Sequence, residues 1–560
     1  MTLTCLKFGL ALTAFTLVLG VEWQALAASS DEGLSDDDAV FAAHEANQPG
    51  RFDYGYGVGV RPPKQAPVSA AAVVGAAAVP PGNTQAPTKG VFGGPVTWPI
   101  IPLHVALLPD GRVFNFGSTE DGKQGGFVYD LWDPSSGTGP ASHTTLPTRP
   151  GGTLTDIFCA GQALIGSNRL LITGGDLTVG GERNHSIADT EVFDWNNDNL
   201  TSAQSMQFAR WYPTIVPTPN GERVVLGGRQ DFKPGATPES PKNEVIGAPL
   251  PEVYTEGLGR RTLTNAGNDF AYGVKNWFYP RGFQVGNGKI LIVNNSSGKM
   301  FYLNPAGTGQ INGIAPKART GAAPFPTLMY GPGKILSVRM FQKVDLIDAT
   351  GALPVVTAGP DTDQVRYWSN TTLMADGRVL LNGGSAVGNK DVNSALKAQI
   401  WDPASPNQWS DADSAQKIRL YHSTALLLPD ATVLTAAGGD PGPVKNLNAE
   451  IYYPPYLYNG DGTPATRPAI NSAPAAFQLG QPFSITVSGG PITRVTLLRV
   501  GSATHSINVD QRFFDLAFSG TGPLTVTPPS NINYALPGYY MLFVFNSQGV
   551  PSVAKFLYLS

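Results

Sequence analysis

The sequence predicts an all-β chain, a seven-bladed β-propeller followed by a small immunoglobulin-like β-sandwich. Three observations carry that expectation: a repeated strand phrase, a second phrase in step with it, and a change of texture near residue 460. The first phrase is a tight turn, a short apolar strand and often a Gly pair. Its copies are "PDGRVFNFG" (109), "NRLLITGG" (168), "GERVVLGG" (221), "NGKILIVNN" (287), "PGKILSV" (332), "DGRVLLNGG" (376) and "DATVLTAAGG" (430). The second, an apolar residue running into a turn, follows each copy: "LWDPSSG", "VFDWNND", "EVYTEG", "YLNPAG", "LIDATG", "IWDPASP" and "IYYPPY". A period of roughly 50 residues with several strands per unit is that of a kelch-type propeller, whose strands lie between neighbouring blades and so read as continuous apolar runs. The expected propeller spans 91–460. Beyond "NGDGTPATRP", segments such as "PFSITVSG", "RVTLLRV" and "YYMLFVFN" lie between turn signals and predict the sandwich over 461–560.

Composition agrees. Gly 65, Pro 48 and only 14% charged residues suit a chain dense in turns and strands. A net charge of −4 offers no electrostatic basis for binding nucleic acid. Residues 1–27 read as a signal peptide, with Lys7 early, then an apolar run and Ala25-Leu26-Ala27 as a small-x-small cleavage site. The alternative is a retained membrane anchor. The expected location is secreted, periplasmic or at the cell surface. Residues 28–90, with an acidic stretch and then "APVSAAAVVGAAAVPPGNTQAPTKG", have too few large apolar groups to form a core and predict a flexible linker.

Cys5 would leave with the signal, so Cys159 in "TLTDIFCAGQ" would be the one cysteine of the mature chain and could form no internal disulfide. Its position is informative. Eight or nine residues upstream of the turn in five blades stand Cys159, Tyr212, Tyr279, Trp368, and Tyr421 with His422, while Phe325 holds the corresponding place in the fifth blade. The innermost strands border the central channel, so residues at equivalent starts of those strands gather near the axis on one face. Packing alone would account for Tyr279, Phe325 and Trp368 as a plug. Tyr421 and His422 can share one site only where the strand start is irregular, because successive strand residues face opposite ways. Of six histidines, those at 44, 104, 143 and 185 have no repeated context, and His505 lies in a loop, "VGSATHSINVDQR", of the expected sandwich.

These segments resemble the copper radical oxidases, the galactose oxidases and glyoxal oxidases, over nearly everything after the linker. The resemblance rests on "LLRVGSATHSINVDQR", "ALPGYYMLFVFNSQGVPSVA", "RLYHSTALLLPD", "DIFCAGQ" and "RWYPT", the last nearer the glyoxal oxidase form. It implies a thioether between Cys159 and Tyr212. It further implies copper held by Tyr212 as equatorial ligand and radical carrier, Tyr421 as axial ligand, and the imidazoles of His422 and His505. Two imidazoles and two phenol oxygens independently suit tetragonal Cu(II) better than zinc or calcium.

Oxidising an alcohol or a hydrated aldehyde removes two electrons, and Cu(II) accepts one. The cross-linked Tyr212 radical would accept the other, with Tyr421 as general base and dioxygen reduced to hydrogen peroxide. The partners implied are a small aldehyde or primary alcohol and O2, acting on a monomer. In galactose oxidase a Trp stacks on the cross-linked tyrosine from just after the following Gly pair. Here that segment reads "LGGRQDF", with Gln230 at the match, which argues against galactose. Gln230, Arg229, Arg319 and Trp368 are the candidate substrate-pocket residues. The competing reading is a kelch propeller that binds glycan or protein without redox chemistry. A propeller hydrolase would need paired carboxylates that the ring lacks.

Overall fold

The computed structural model describes residues 78–119, 128–147, 155–166, 169–179, 182–233, 245–322 and 324–560. The expected signal peptide and most of the expected linker lie outside the described residues. Residues 78–90, also within the span expected to be a linker, pack on the propeller. They include one helical turn, Ala86–Lys89, and the Tyr452 hydroxyl donates to the Lys89 carbonyl at 2.6 Å. No helix among the described residues is long and apolar enough to cross a membrane.

Seven antiparallel sheets of four or five strands form the blades. Their innermost strands are Ile101–Leu107, Gly161–Ile165, Trp211–Pro217, Arg281–Gln284, Thr327–Gly331, Asn370–Leu373 and Ser423–Leu427. The first repeated phrase of the sequence supplies each second strand, and the second phrase ends each third strand. Nearly every position of the inner strands is buried, as strands flanked by neighbouring blades require.

The ring closes on the seventh blade. Val91–Phe92 and Val96–Thr97, from the start of the propeller, pair with its strand Asn448–Tyr453. Trp98 completes the closure: its backbone N–H donates to Leu447 of blade seven at 3.0 Å, and its indole N–H donates to Asn115 Oδ1 of blade one at 3.1 Å. Its ring packs edge-on to Trp132 and His143.

The Gly pairs have a structural reason. In blade three, the buried Arg210 donates to the Gly227 carbonyl at 2.5 Å and to Glu252 at 3.1 Å. Gly228 has φ +88, and a Cβ there would lie 2.7 Å from Arg210 Cβ. Blade seven repeats this, with Arg419 donating to the Ala437 carbonyl and to Glu450, both at 2.9 Å. In blade six, Arg366 donates to the Gly383 carbonyl at 3.2 Å and pairs with Asp363. Each arginine stands two residues before Tyr212, Tyr421 or Trp368. It ties the second strand of the blade to the segment that aims those side chains. A buried guanidinium persists only when paired and hydrogen-bonded in this way.

Eight of the last nine strands, from Ala469–Ser472 to Lys555–Leu559, form the C-terminal β-sandwich around Ile485, Val495, Leu497, Tyr540, Leu542 and Leu557. It sits against the blade turns. Thr496 donates to the Ala375 carbonyl at 2.9 Å, and Asn533 donates to the Gly286 carbonyl at 2.9 Å. One segment leaves this contact face and enters the propeller: Ser502–Thr504 pairs with His104–Ala106 of the innermost strand of blade one, and Ile507 bridges to Thr327 of blade five.

Trp98→Ala should cost about 3–5 kcal/mol by removing a buried indole. Thermal unfolding followed by circular dichroism is expected to show the midpoint lowered by several degrees, with the folded-state spectrum unchanged at low temperature.

Candidate metal centre

The side chains that meet at the axis share an uncommon backbone state. Cys159, Tyr212, Tyr279, Trp368, His422 and His505 have φ of 59°, 68°, 36°, 64°, 67° and 44°. A positive φ breaks the alternation of a regular strand, so consecutive side chains can face one way. The Tyr421 and His422 rings accordingly stack at 3.7 Å, and Trp211 stacks on Tyr212 at 4.0 Å. Backbone hydrogen bonds link these starts from blade to blade: Tyr212 N–H to the Cys159 carbonyl at 3.0 Å, and Tyr279 N–H to the Tyr212 carbonyl at 2.9 Å.

His505 reaches the same place. Its Nε2 lies 4.0 Å from Cys159 Sγ, and the ligand atoms of Cys159, His422 and His505 all fall within 4.8 Å of one another. The hydroxyls of Tyr212 and Tyr421 hydrogen-bond to each other, and the Cys159 thiol hydrogen-bonds with Tyr212. Phe325 does not join this cluster; it stacks on Tyr367 at 4.7 Å in the main core.

Hydrogen bonds fix which imidazole nitrogen faces the other donors. His422 Nδ1 lies 2.8 Å from the Asp440 carbonyl and 3.1 Å from the Gly439 carbonyl. Carbonyls only accept, so Nδ1 carries the proton and Nε2 keeps its lone pair. Thr504 does the same for His505. Its hydroxyl donates to the Leu103 carbonyl at 2.9 Å, which leaves its oxygen to accept from His505 Nδ1 at 2.5 Å. Burial, with His422, His104 and Arg281 nearby, holds the His505 pKa well below its usual value, so the ring is neutral. Burial pushes Cys159 and Tyr212 far upward, with Cys159 and Tyr421 adding to the Tyr212 shift. Two Nε2 lone pairs beside two phenol hydroxyls, of which burial keeps that of Tyr212 protonated, are a set that a cation would complete.

Residues 467–559 match the family described as "Galactose oxidase-like, Early set domain". Over 506 residues the chain is 29% identical to a galactose oxidase of Gibberella zeae, covering 84% of this chain and 70% of that one. It is 26% identical over 538 residues to an aldehyde oxidase of Vitis pseudoreticulata, covering 83% of this chain and 97% of that one. A solved structure described as a "novel fungal alcohol oxidase with catalytic diversity among the AA5 family, in complex with copper" superposes with TM-score 0.72 and 26% identity, over 84% of this chain and 100% of that one. The chain is a homologue of galactose and aldehyde oxidases. It is an oxidoreductase.

Several residues around the oxidase's centre lie outside the repeated register. Trp211 and Trp277 cover Tyr212, the second at 6.0 Å and 13° from parallel, so the stacking expected to be lost at Gln230 comes from other positions. "RWYP" and "NWFYP" place a Trp just before the ring tyrosine in two successive blades, the pattern that could have found them. His104 is fully buried, stacked on Phe116 at 4.1 Å and 3.5 Å from the Thr504 hydroxyl.

Of the four candidate pocket residues, Trp368 packs on Tyr421 at 4.3 Å, and its indole N–H has no hydrogen-bond partner among the described residues. Gln230 is half-buried on the strand Arg223–Phe232. Arg319 is held by Asp345 at 2.7 Å and by the Val344 carbonyl. Arg229 lies between Trp211 and Phe232, its Cζ 4.1 Å from each ring, and donates to the Asn184 carbonyl. Neither arginine extends free toward the centre.

Two outcomes are expected. Thr504→Val removes the acceptor that orients His505 and should weaken transition-metal binding about 10–100-fold by calorimetric titration, whereas Thr504→Ser should retain it. The second concerns acid. His104 is held near a pKa of about 3 by burial, against 6.5 for the ordinary side chain. The unfolded chain therefore takes up that proton first, and in metal-free protein His104 should contribute a loss of roughly 1.4 kcal/mol per pH unit as pH falls from about 6.5 towards 3. His104→Asn should remove that one-proton part of the slope in denaturant titrations at pH 7, 6 and 5.

Proposed function

We propose that the chain is a secreted copper radical oxidase that converts small aldehydes or primary alcohols with O2, yielding hydrogen peroxide. The observation that carries this reading is the convergence of His422, His505, Tyr212 and Tyr421, with the Cys159 thiol against Tyr212. The donor set fits copper. Two Nε2 lone pairs and two phenol oxygens suit a tetragonal N2O2 site, and among the described residues no carboxylate cage for calcium stands there. Copper, when bound, supplies a one-electron acceptor beside the phenols.

The chain's own residues do the rest. A thioether between Cys159 and Tyr212 forms with loss of two electrons and two protons, which dioxygen takes up to become peroxide. The cross-linked phenol then provides the second one-electron centre. Tyr421, hydrogen-bonded to Tyr212 through their hydroxyls, takes the proton of the substrate hydroxyl. Tyr212 takes a hydrogen atom from the substrate carbon. Together these steps remove two protons and one electron; the second electron would go to the one-electron acceptor that bound copper supplies, which completes the pair that separates an alcohol from an aldehyde, and O2 then takes up two electrons and two protons.

The surroundings support apolar substrates over sugars. Trp211, Trp277, Phe278, Tyr279 and Trp368 pack around the donors, and Arg229 and Arg319 are engaged by protein groups. Such a site can grip a ring or an alkyl chain but offers little to the remaining hydroxyls of a hexose. Secretion rests on the apolar N-terminal segment and Ala25-Leu26-Ala27.

Exposure to copper and air should lower the intact mass by two hydrogens and join the Cys159 and Tyr212 peptides in a link that reductant leaves intact. Cys159→Ser is expected to abolish peroxide formation from benzyl alcohol and methylglyoxal. Full activity in that variant would overturn the radical mechanism. In the unmodified enzyme, benzyl alcohol should exceed galactose in kcat/KM.

A further inference from the structure

The indole stacked on Tyr212 raises a difficulty for the proposed radical, and this inference rests on that reading. Trp211 lies 4.0 Å from the phenol ring at 26°, and Trp277 lies 6.5 Å beyond Trp211 at 19°. Stacked aromatic rings at such distances exchange electrons readily, so an oxidised Tyr212 has a neighbour from which an electron could be drawn. The phenoxyl would take an electron from Trp211 and the proton of the neighbouring Tyr421 hydroxyl, leaving the phenol restored and a cation on the indole. Once there, the oxidising equivalent could pass to Trp277 or be lost to oxygen.

The guanidinium of Arg229 sits against that indole. Its Cζ is 4.1 Å from the Trp211 ring and 5.8 Å from the Trp277 ring. The placement is built. Trp211 and Arg229 are cross-strand partners, Phe232 supports the guanidinium at 4.1 Å, Nη2 donates to the Asn184 carbonyl, and the side chain is buried. A cation over a neutral aromatic face is favourable, but over an indole that has lost an electron it becomes a repulsion in a poorly screened interior. Oxidation of Tyr212 releases a proton with its electron and leaves the ring neutral. The repulsion therefore acts on Trp211 and Trp277 far more than on Tyr212.

We propose that Arg229 is a positioning residue that confines the oxidising equivalent to Tyr212, by making an indole cation beside it unfavourable. The role differs from binding substrate, for which its buried guanidinium is poorly placed.

The test uses copper-loaded, cross-linked enzyme oxidised with ferricyanide, freed of excess oxidant and kept without substrate. Decay of the radical's visible absorption is followed, then tryptic peptides are mapped for oxygen adducts. Arg229→Gln should shorten the radical's lifetime at least about tenfold through loss of the charge, with adducts appearing on the Trp211 or Trp277 peptides. Arg229→Lys should stay close to the unmodified enzyme. Adding Trp211→Phe to Arg229→Gln should restore much of the lifetime, which a purely structural defect would not allow.

Equal lifetimes and adduct-free indoles in Arg229→Gln would overturn the proposal. The unmodified enzyme gives an independent reading should that variant not fold. As its radical decays, Trp211 and Trp277 should remain unmodified, and adducts accumulating there in step with the decay would refute confinement. If ferricyanide raises no radical absorption in the cross-linked enzyme, the proposed function fails instead.

Discussion

The constraint on which the structure depends is the passage of a single segment of the C-terminal sandwich into the propeller. Ser502–Thr504 adds a strand to blade one, so its backbone groups find ladder partners in an interior where an unpaired N–H or C=O would be costly. The segment admits little variation. A Cβ on Gly501 would lie 2.7 Å from Asn508 Nδ2 and 2.9 Å from Leu426 Cδ1. Because Thr504 is held by Leu103 and in turn orients His505, the strand pairing that places the segment also sets the imidazole's tautomer. The two folded parts thus form one chemical unit.

Around that insertion the propeller concentrates strained backbone at one level. Five blade residues and His505 adopt the left-handed region, each at a conformational cost of about 1–2 kcal/mol. Strain of this kind persists only where neighbouring structure over-determines it. Here the buried arginines do so. Arg210, Arg366 and Arg419 each bond a carbonyl in or just past the second strand and pair with an acid, locking the segment two residues before Tyr212, Trp368 and Tyr421. The Gly pairs are where those carbonyls and guanidinium stems need room.

The electrostatic character of the centre follows from its dryness. Burial keeps the imidazole of His505 neutral and the phenol of Tyr212 and thiol of Cys159 protonated, so the chain alone presents no net charge from these groups. Aromatic walls reinforce this. The same fold supports galactose oxidase, aldehyde oxidase and alcohol oxidase activity in the relatives, so the lining rather than the architecture must distinguish substrates. In this chain Trp211 and Trp277 take the position over Tyr212, approaching from the strand starts rather than from the segment after the Gly pair.

Periodicity determined the propeller, because seven blades of similar make must repeat their turns and strands at similar spacing. The same register singled out Cys159, Tyr212, Trp368, Tyr421 and His422 before any coordinates, since equivalent strand starts border one axis. What the linear pattern could not contain was distance between non-repeated parts. His505 belongs to a loop of another domain, His104 to a strand interior with no partner nearby in sequence, and Arg229 looks equally suited to a pocket or to a stack. Only the closed ring, with the sandwich segment threaded along its axis, decided which nitrogen faces the donors and which arginine is buried against an indole. Those outcomes depend on contacts between residues hundreds of positions apart, which local pattern does not encode.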